Sequence, residues 1–385
     1  MPRERIHLSV PHMCGREEQF VAETFRSNWL STVGPNLDAF ESEVEQRLGG
    51  GVRCLAVSSG TAALHLILRC AGVGRGDVVA VSTLTFAASV WPVLYLGATP
   101  VFIDSEQTSG NMDADLVLEY LEGAARAGRL PKVLICVHLY GQHADIDRLS
   151  AACEQFGVIL VEDAAESLGA TYKGRETATT AAFSLLSFNG NKIITTTGGG
   201  MVVAKDSASV DRMKKWATQS REPAVEYLHR ELGYNYRMSN VLAGVGRGQL
   251  TVLDDRVAAR RRVADRYARR LADIPGLTLQ PEAPWGLHTR WLSVLQIDPA
   301  THETRPIDLV RELEIEDIEG RPVWRPMHTQ PMFADAPRVG GAVAEKLFAY
   351  GICLPSSSSL DERDQDRVIG AVRRRLLHPE AAVRV

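Results

Sequence analysis

Three short stretches of this sequence carry residue types that could do chemistry together. The first is Val161-Glu-Asp-Ala-Ala-Glu166. Asp163 closes an apolar run there, and the carboxyl ends of strands in open α/β sheets are where ligand groups gather. Asp163 could equally cap the turn that follows. The second is Ser187-Phe-Asn-Gly-Asn-Lys192, which puts a lysine on a turn after a strand. That lysine could be a reactive amine or a solvated loop residue. The third is Ser58-Ser-Gly-Thr-Ala-Ala-Leu64, where a strand ends and a helix begins at once. Gly60 permits a tight turn, and Thr61 can cap the helix. Amides at a helix start have no acceptor within the helix and suit a phosphate, although an ordinary capped turn would read the same. Together, a strand-end carboxylate, a phosphate cradle and a lysine are what pyridoxal phosphate chemistry requires. The lysine holds the cofactor as a Schiff base, the carboxylate keeps the ring nitrogen protonated, and the helix start takes the phosphate.

For these stretches to meet, the chain must deliver them to one edge of a sheet. Up to about residue 205, short β-branched runs alternate with longer amphipathic ones. Runs at 54–58, 78–82, 101–104, 133–138 and 158–162 read as buried strands, and 62–71, 87–96, 113–127 and 145–156 as helices. Strands at 182–188 and 201–204 follow. Such alternation predicts an α/β fold with a mostly parallel sheet and helices on both faces. Beyond about residue 250 the pattern gives a charged helix at 254–272, an isolated strand at 291–297 and helices at 306–314 and 362–376. A large α/β domain over residues 1–250 and a smaller α+β domain over 251–385 are expected.

Composition narrows the classes. A chain of 385 residues suggests two or three domains at roughly 150 residues each. Its 45 % apolar and 23 % charged residues exclude disordered and fibrous classes. Forty-three Lys and Arg against forty-seven Asp and Glu leave a net charge of −4. That gives no field to draw the molecule onto nucleic acid or an anionic membrane. Six scattered cysteines without a Cys-x-x-Cys pair argue against a zinc knuckle or a disulfide framework, and no metal site is expected. Reduced cysteines, and a start (Met1-Pro-Arg-Glu-Arg-Ile6) with no apolar core for a signal peptide, point to the cytoplasm.

Some features could mislead. Residues 78–103 lack charge and are long enough to raise the question of a membrane span. Ser82, Thr83, Thr85, Ser89, Pro92, Gly97 and Pro100 divide them instead into strand, helix and strand. Gly72-Val-Gly-Arg-Gly76 follows a helix and Gly244-Val-Gly-Arg-Gly248 sits inside one, and neither completes a G-x-G-x-x-G fingerprint. A nicotinamide-dependent oxidoreductase is therefore the weaker alternative. The arginine triplets at 260–262 and 373–375 read as solvated helix faces. Hydrolase, metalloprotease and NTPase motifs are absent from the sequence.

Further strings extend the pattern along nearly the whole chain. They are Asn28-Trp-Leu-Ser-Thr-Val-Gly-Pro35, Thr85-Phe86, Val137-His-Leu-Tyr-Gly141, Gly233-Tyr-Asn-Tyr-Arg-Met-Ser-Asn240, Arg321-Pro-Val-Trp-Arg-Pro-Met-His328 and Cys353-Leu-Pro355. In this order, with the three stretches above, they resemble the DegT/DnrJ/EryC1/StrS family of sugar aminotransferases, in the aspartate-aminotransferase-like (fold type I) class. The resemblance implies pyridoxal 5'-phosphate as cofactor, with Lys192 as Schiff-base lysine and proton shuttle and Asp163 paired with the pyridinium nitrogen. It implies that Phe86 stacks on the ring, that Glu166 lies near the cofactor hydroxyl, and that Gly60, Thr61 and Ser187 bind phosphate. Asn235 would reach the phosphate of a neighbouring subunit, giving a homodimer with shared active sites. Trp29, Gly34, Pro35 and His328 would line a nucleotide-sugar pocket, to which residues 1–40 contribute; a plain surface role for His328 is the alternative.

The same resemblance implies a transaminase that moves an amino group, from L-glutamate, to a keto group of a nucleotide-linked sugar. The Ser-Phe-Asn-Gly-Asn-Lys and Trp-Arg-Pro-Met-His strings look most like enzymes acting at C4 of UDP-4-keto-6-deoxy-N-acetylhexosamines, as in N-acetylbacillosamine synthesis. Perosamine-type and 3-keto enzymes are the alternatives. Where many relatives read Thr-x-x-Glu-Gly-Gly after the lysine, this chain has Thr195-Thr-Thr-Gly198-Gly-Gly, which leaves the subfamily open. Sugar dehydratases on the same scaffold carry histidine in place of the lysine, so Lys192 speaks against them. A non-catalytic cofactor-binding regulator lacks support, since no added DNA-binding domain is visible in the sequence.

Overall fold

Short apolar runs become the strands of an eight-stranded sheet. The structure, a computed structural model, describes residues 4–378. In chain order the strands begin with β1 (Arg53–Val57), β2 (Val78–Ser82), β3 (Thr99–Ile103), β4 (Val133–Val137) and β5 (Ile159–Asp163). A two-residue hairpin, β6 (Thr171–Tyr172) and β7 (Arg175–Glu176), precedes β8 (Phe183–Ser187) and β9 (Gly200–Ala204). Across the sheet the order is β1-β9-β8-β5-β4-β2-β3-β13, the last strand being Arg338–Val339. Pairings from β8 outward to β13 are parallel, whereas β9 runs antiparallel to both β8 and β1. The carboxyl ends of β1, β8, β5, β4 and β2 therefore share one edge. Val57, Gly200 and Ser187 meet there in register.

Side-chain alternation explains the helices on both faces. Val79, Val81, Val133, Ile135 and Val161 pack with α3 (Gly60–Cys70), α4 (Trp91–Tyr95) and α7 (Ser207–Ala217). Their neighbours Ala80, Leu134, Cys136 and Leu160 pack with α5 (Ala114–Arg126) and α6 (Ile146–Phe156). Fully burying one Leu or Val contributes about 1.5–3 kcal/mol, so both layers matter.

Two N-terminal helices, α1 (Arg16–Ser27) and α2 (Pro35–Leu48), were not anticipated from sequence. The first packs on α8 (Asn240–Leu250), which contains the second glycine string. A Cβ at Gly248 would lie 2.7 Å from the Glu17 amide nitrogen, and one at Gly244 would lie 3.3 Å from the Phe20 carbonyl carbon. That string is a packing surface.

Details of the apolar 78–103 segment differ from expectation. The helix expected over 87–96 is only a 3-10 turn, Ala87–Ser89, followed by the five-residue α4. Pro92 cannot donate a backbone bond and is accommodated only in the first turn of a helix. Among the described residues no helix is long and apolar enough to cross a membrane. The cap of α3 is also corrected. Ser59 Oγ, not Thr61, accepts from the Ala62 amide at 3.0 Å.

A second, antiparallel sheet, β10-β11-β14-β12, joins Leu277–Leu279, Ser293–Ile297, Gly351–Leu354 and Arg321–Pro322. It is backed by α9 (Leu253–Arg270), α10 (Pro306–Ile315) and α12 (Glu362–Leu377), with α11 (Ala342–Tyr350) alongside. The chain crosses between the two sheets more than once. Ile6 bridges Ile318 beside the small sheet, and β13 returns to pair with β3 of the large one.

Arg260 departs from the solvated face expected of its triplet. It is fully buried on α9 and donates to the Trp291 and Ser356 carbonyls, both at 2.8 Å, and to Ser9 Oγ at 3.0 Å. Exposed Arg262 and Arg374 keep the expected setting.

Candidate active site

Three strand ends build the site. β5 ends at Asp163, β8 at Ser187 and β1 at Val57, and residues at and beyond these ends line one cavity of about 590 Å³. Asp163 is buried, with Oδ2 accepting from Ser89 Oγ at 2.7 Å and Oδ1 from the Ala165 amide at 3.1 Å. Burial pushes this carboxyl up, while the two donors and Lys192 draw it back down. A bound cation would favour the charged form further.

Lys192 Nζ stands 3.9 Å from Glu166 Oε1 and 4.0 Å from the centroid of the Trp291 ring. The Tyr140 amide donates to Glu166 Oε2 at 2.7 Å. Tyr140 has a left-handed backbone, φ 54°, uncommon for a bulky residue, and its hydroxyl accepts from the Trp324 amide at 3.0 Å. Burial pushes Glu166 up to about 7, against the pull of Lys192, and the same burial lowers the Lys192 amine. Burial thus brings the proton affinities of the carboxyl and the amine closer together, as suits a site that moves protons.

This burial predicts a pH dependence. With its carboxyl raised from 4.5 to about 7, folded Glu166 holds a proton that the unfolded chain has released. Stability from this group is therefore fully present below about pH 4.5 and is lost as pH rises through the window to about 7. In cofactor-free protein, Glu166→Gln should flatten that fall, with raised Asp163 leaving a residual slope. Urea midpoints between about pH 5 and 8 check it. A variant with the wild-type slope would show that Glu166 is already ionised in the fold.

The same cavity is lined by Ser58, Ser59, Gly60, Thr61 and Ser187. Gly60 and Thr61 are the first residues of α3, so their amides belong to its start. Gly200 secures the turn: a Cβ there would fall 2.3 Å from the Ser59 carbonyl carbon. Phe86 lines the same cavity and is 58 % exposed as a residue, with its ring tilted against Trp324 at 5.7 Å. Hydroxyls and helix amides for a phosphate, a buried carboxylate for a ring nitrogen, an exposed aromatic side chain and a buried lysine together fit pyridoxal phosphate.

Not every expected residue comes to this cavity. Trp29, Gly34, Pro35 and Asn235 line no part of it in their own chain. Trp29 is exposed, and Gly34 packs on Asn240, whose amide holds the Trp29 carbonyl at 3.0 Å. Asn235 is exposed in a bridge to Thr218. His328 does not have the surface setting given as its alternative. It is buried, with Nδ1 bonded to Thr83 Oγ1 and Nε2 3.0 Å from Glu345, and it lines no part of the cavity. The 3-10 turn Met327–Thr329 tucks under the end of β2, where the Thr83 carbonyl accepts from the Met327 amide at 2.8 Å.

Ser89, Tyr140, Trp291 and Trp324 were not singled out from sequence. Tyr140 and Trp324 stand inside quoted strings and could have been found there. Ser89 gave no signal, because a serine on a 3-10 turn becomes a carboxylate donor only through the fold. Glu162, next to Asp163, belongs to a separate buried cluster with His138 and His143. The Ala144 amide donates to His138 Nδ1 at 3.2 Å, so His138 Nε2 carries the proton and donates to Glu162 at 3.0 Å. A metal would need that nitrogen bare. The cluster instead ties the end of β4 to β5.

Residues 11–373 match the DegT/DnrJ/EryC1/StrS aminotransferase family. The chain belongs to that family. It is 48 % identical over 370 residues to EpsN of Bacillus subtilis strain 168, a protein assigned to the pyridoxal phosphate-dependent aminotransferases, covering 95 % of this chain and 94 % of EpsN. It is 35 % identical over 369 residues to the GDP-perosamine synthase of Caulobacter vibrioides, covering 96 % and 97 %. DesI, solved in the presence of its TDP-sugar product, superposes with a TM-score of 0.89 at 25 % identity over 98 % of this chain and 94 % of DesI. As a member of the family, the chain is a pyridoxal phosphate-dependent sugar aminotransferase.

Proposed function

We infer that the enzyme transfers an amino group from L-glutamate to a keto group of a nucleotide-linked sugar, C4 of a UDP-4-keto-6-deoxy-N-acetylhexosamine being the preferred substrate. The observation that carries the reading is the single cavity in which Lys192, Asp163 and the start of α3 converge. Bound pyridoxal phosphate would supply the electron sink. Asp163 would hold a proton on the ring nitrogen, and Gly60, Thr61 and Ser187 would bind the phosphate. Phe86 would flatten the ring against its face, with Glu166 near the ring hydroxyl. Lys192 Nζ would tether the cofactor and then move a proton between cofactor and substrate carbons. A GDP-linked substrate of the perosamine type is the second reading, supported by the 35 % identical relative of that name. The test is glutamate-dependent amination of UDP-, GDP- and TDP-linked 4-keto and 3-keto sugars, with NMR of the product. Amination of none of them would overturn the reading.

The same reading makes the active unit a homodimer with shared sites. Trp29, Leu30 and Val33 are exposed near the start of α2, and Val225, Tyr227 and Leu232 are exposed on the loop before Asn235. Exposed apolar groups of this size support an interface. In an isologous dimer, Asn235 and the 29–35 turn would complete the neighbour's cavity. Mixed Lys192→Ala and Asn235→Asp subunits give heterodimers with one doubly defective site and one intact site. Activity should return, up to about a quarter of wild type at statistical mixing. If exchange is verified and both parents are inactive, a dead mixture would place Asn235 in its own chain's site.

A further inference from the structure

Trp291 is locked from several sides. Its ring is buried, its indole N–H donates to the Asn191 carbonyl at 2.7 Å, and its own carbonyl accepts from Arg260 at 2.8 Å. Tyr140 stacks towards it at 6.3 Å and Trp324 leans on it at 6.2 Å. What remains free is a ring face, and Lys192 Nζ sits over that face at 4.0 Å. The acceptor of the indole proton is the residue immediately before the lysine. Any movement of this turn therefore carries the ring and the amine together.

We propose that the face of Trp291 is the resting station of the Lys192 side chain whenever its Nζ is not bonded to the cofactor, which makes Trp291 a positioning residue. A transaminase lysine must leave the cofactor, carry a proton and return. Released, a four-carbon ammonium has many rotamers and a strong call for water. An indole face attracts the cation without accepting its proton, and the attraction strengthens as water is excluded. A carboxylate alone would serve less well, because a tight ion pair would withhold the amine from its second task. The nearest one, Glu166, stays 3.9 Å away, beyond hydrogen-bond reach. Trp291 thus holds Nζ beside Glu166 but short of a hydrogen bond to it, and once the proton has been given up the attraction to the ring lapses and leaves the lone pair free to return.

The readout is the acidity of Lys192 in cofactor-free protein, taken from the pH dependence of its acetylation by a small anhydride and quantified on the Lys192 peptide. The charged and titratable groups around the pair, namely Glu166, Asp163, Tyr140 and Arg260, are left unchanged. Trp291→Leu removes the π face and should lower the amine pKa by about one unit, whereas Trp291→Phe should lower it by less. Folding is checked by thermal melts, and if the Leu variant does not fold, the Phe variant against wild type carries the test. An amine pKa unchanged within about 0.2 units in folded variants would overturn the proposal, whatever happens to turnover, and leave Trp291 as packing only.

Discussion

Asp163→Asn is expected to keep the cofactor and lose most of the turnover. The side chain is isosteric, so the cavity should retain its shape, but the negative charge that the proposed reading sets beside the ring nitrogen disappears. In the native chain both carboxylate oxygens are engaged, Oδ2 by Ser89 and Oδ1 by the Ala165 amide. Asparagine can satisfy only one of these donors without reversing a bond. The lost interaction is electrostatic and acts where charge develops, so a fall on the order of 10²–10³ in kcat is expected. The affinity for pyridoxal phosphate should change far less, because the residues proposed to bind the phosphate, Gly60, Thr61 and Ser187, are other ones. Asp163→Glu restores the charge one methylene out of place and should recover part of the rate. Burial already favours the protonated carboxyl, so the Glu variant should depend more steeply on pH than wild type does. Near-normal kcat in the Asn variant would reduce Asp163 to a structural cap of the turn after β5.

Asp163 also shows how far the sequence carries. Its place at a strand end could be read directly, because a fully buried parallel strand is a continuous apolar run and its last residue must be a turn or a ligand. The same holds for Lys192 and the start of α3, each fixed by a local strand-to-turn pattern. What stayed hidden depends on partners distant in sequence. Trp291 meets Lys192 across 99 residues only because the small sheet folds back on the large one. His328 could have been a plain surface residue, yet it is buried and bonded to Thr83, 245 positions away. Arg260 misled for the opposite reason, since a triplet of arginines reads as solvated until two distant carbonyls claim the middle of a helix face. Local strand-to-turn placement was legible. Long-range burial was not.

Lys192→Ala should be the most damaging single change, because on the proposed reading it removes two functions at once. The tether would be lost, and so would the one lysine among the described residues that line the cavity. A positioned acid–base group contributes about 10²–10⁴-fold on its own, so the combined loss should exceed that range. Sodium borohydride should fix the cofactor covalently to wild-type protein and leave the variant unlabelled, with the label mapping to the peptide carrying Lys192. Competing lysines are already engaged. Lys132 is held by Asp77 and the Gly72 carbonyl, and Lys173 by Asp147. A label on either would sink the assignment. The variant should still bind pyridoxal phosphate reversibly, because the amides of α3 and the hydroxyls of Thr61 and Ser187 do not depend on the lysine. The two functions can then be separated. A small primary amine added to the variant can carry a proton but cannot tether the cofactor to the chain. Partial return of kcat with added methylamine, without stable retention of cofactor through gel filtration, would assign the proton shuttle to Lys192 independently of the tether. Failure of every amine that fits, in a folded variant that still binds the cofactor, would assign the proton transfer to another group, and Glu166, 3.9 Å from the missing Nζ, would be the first to replace.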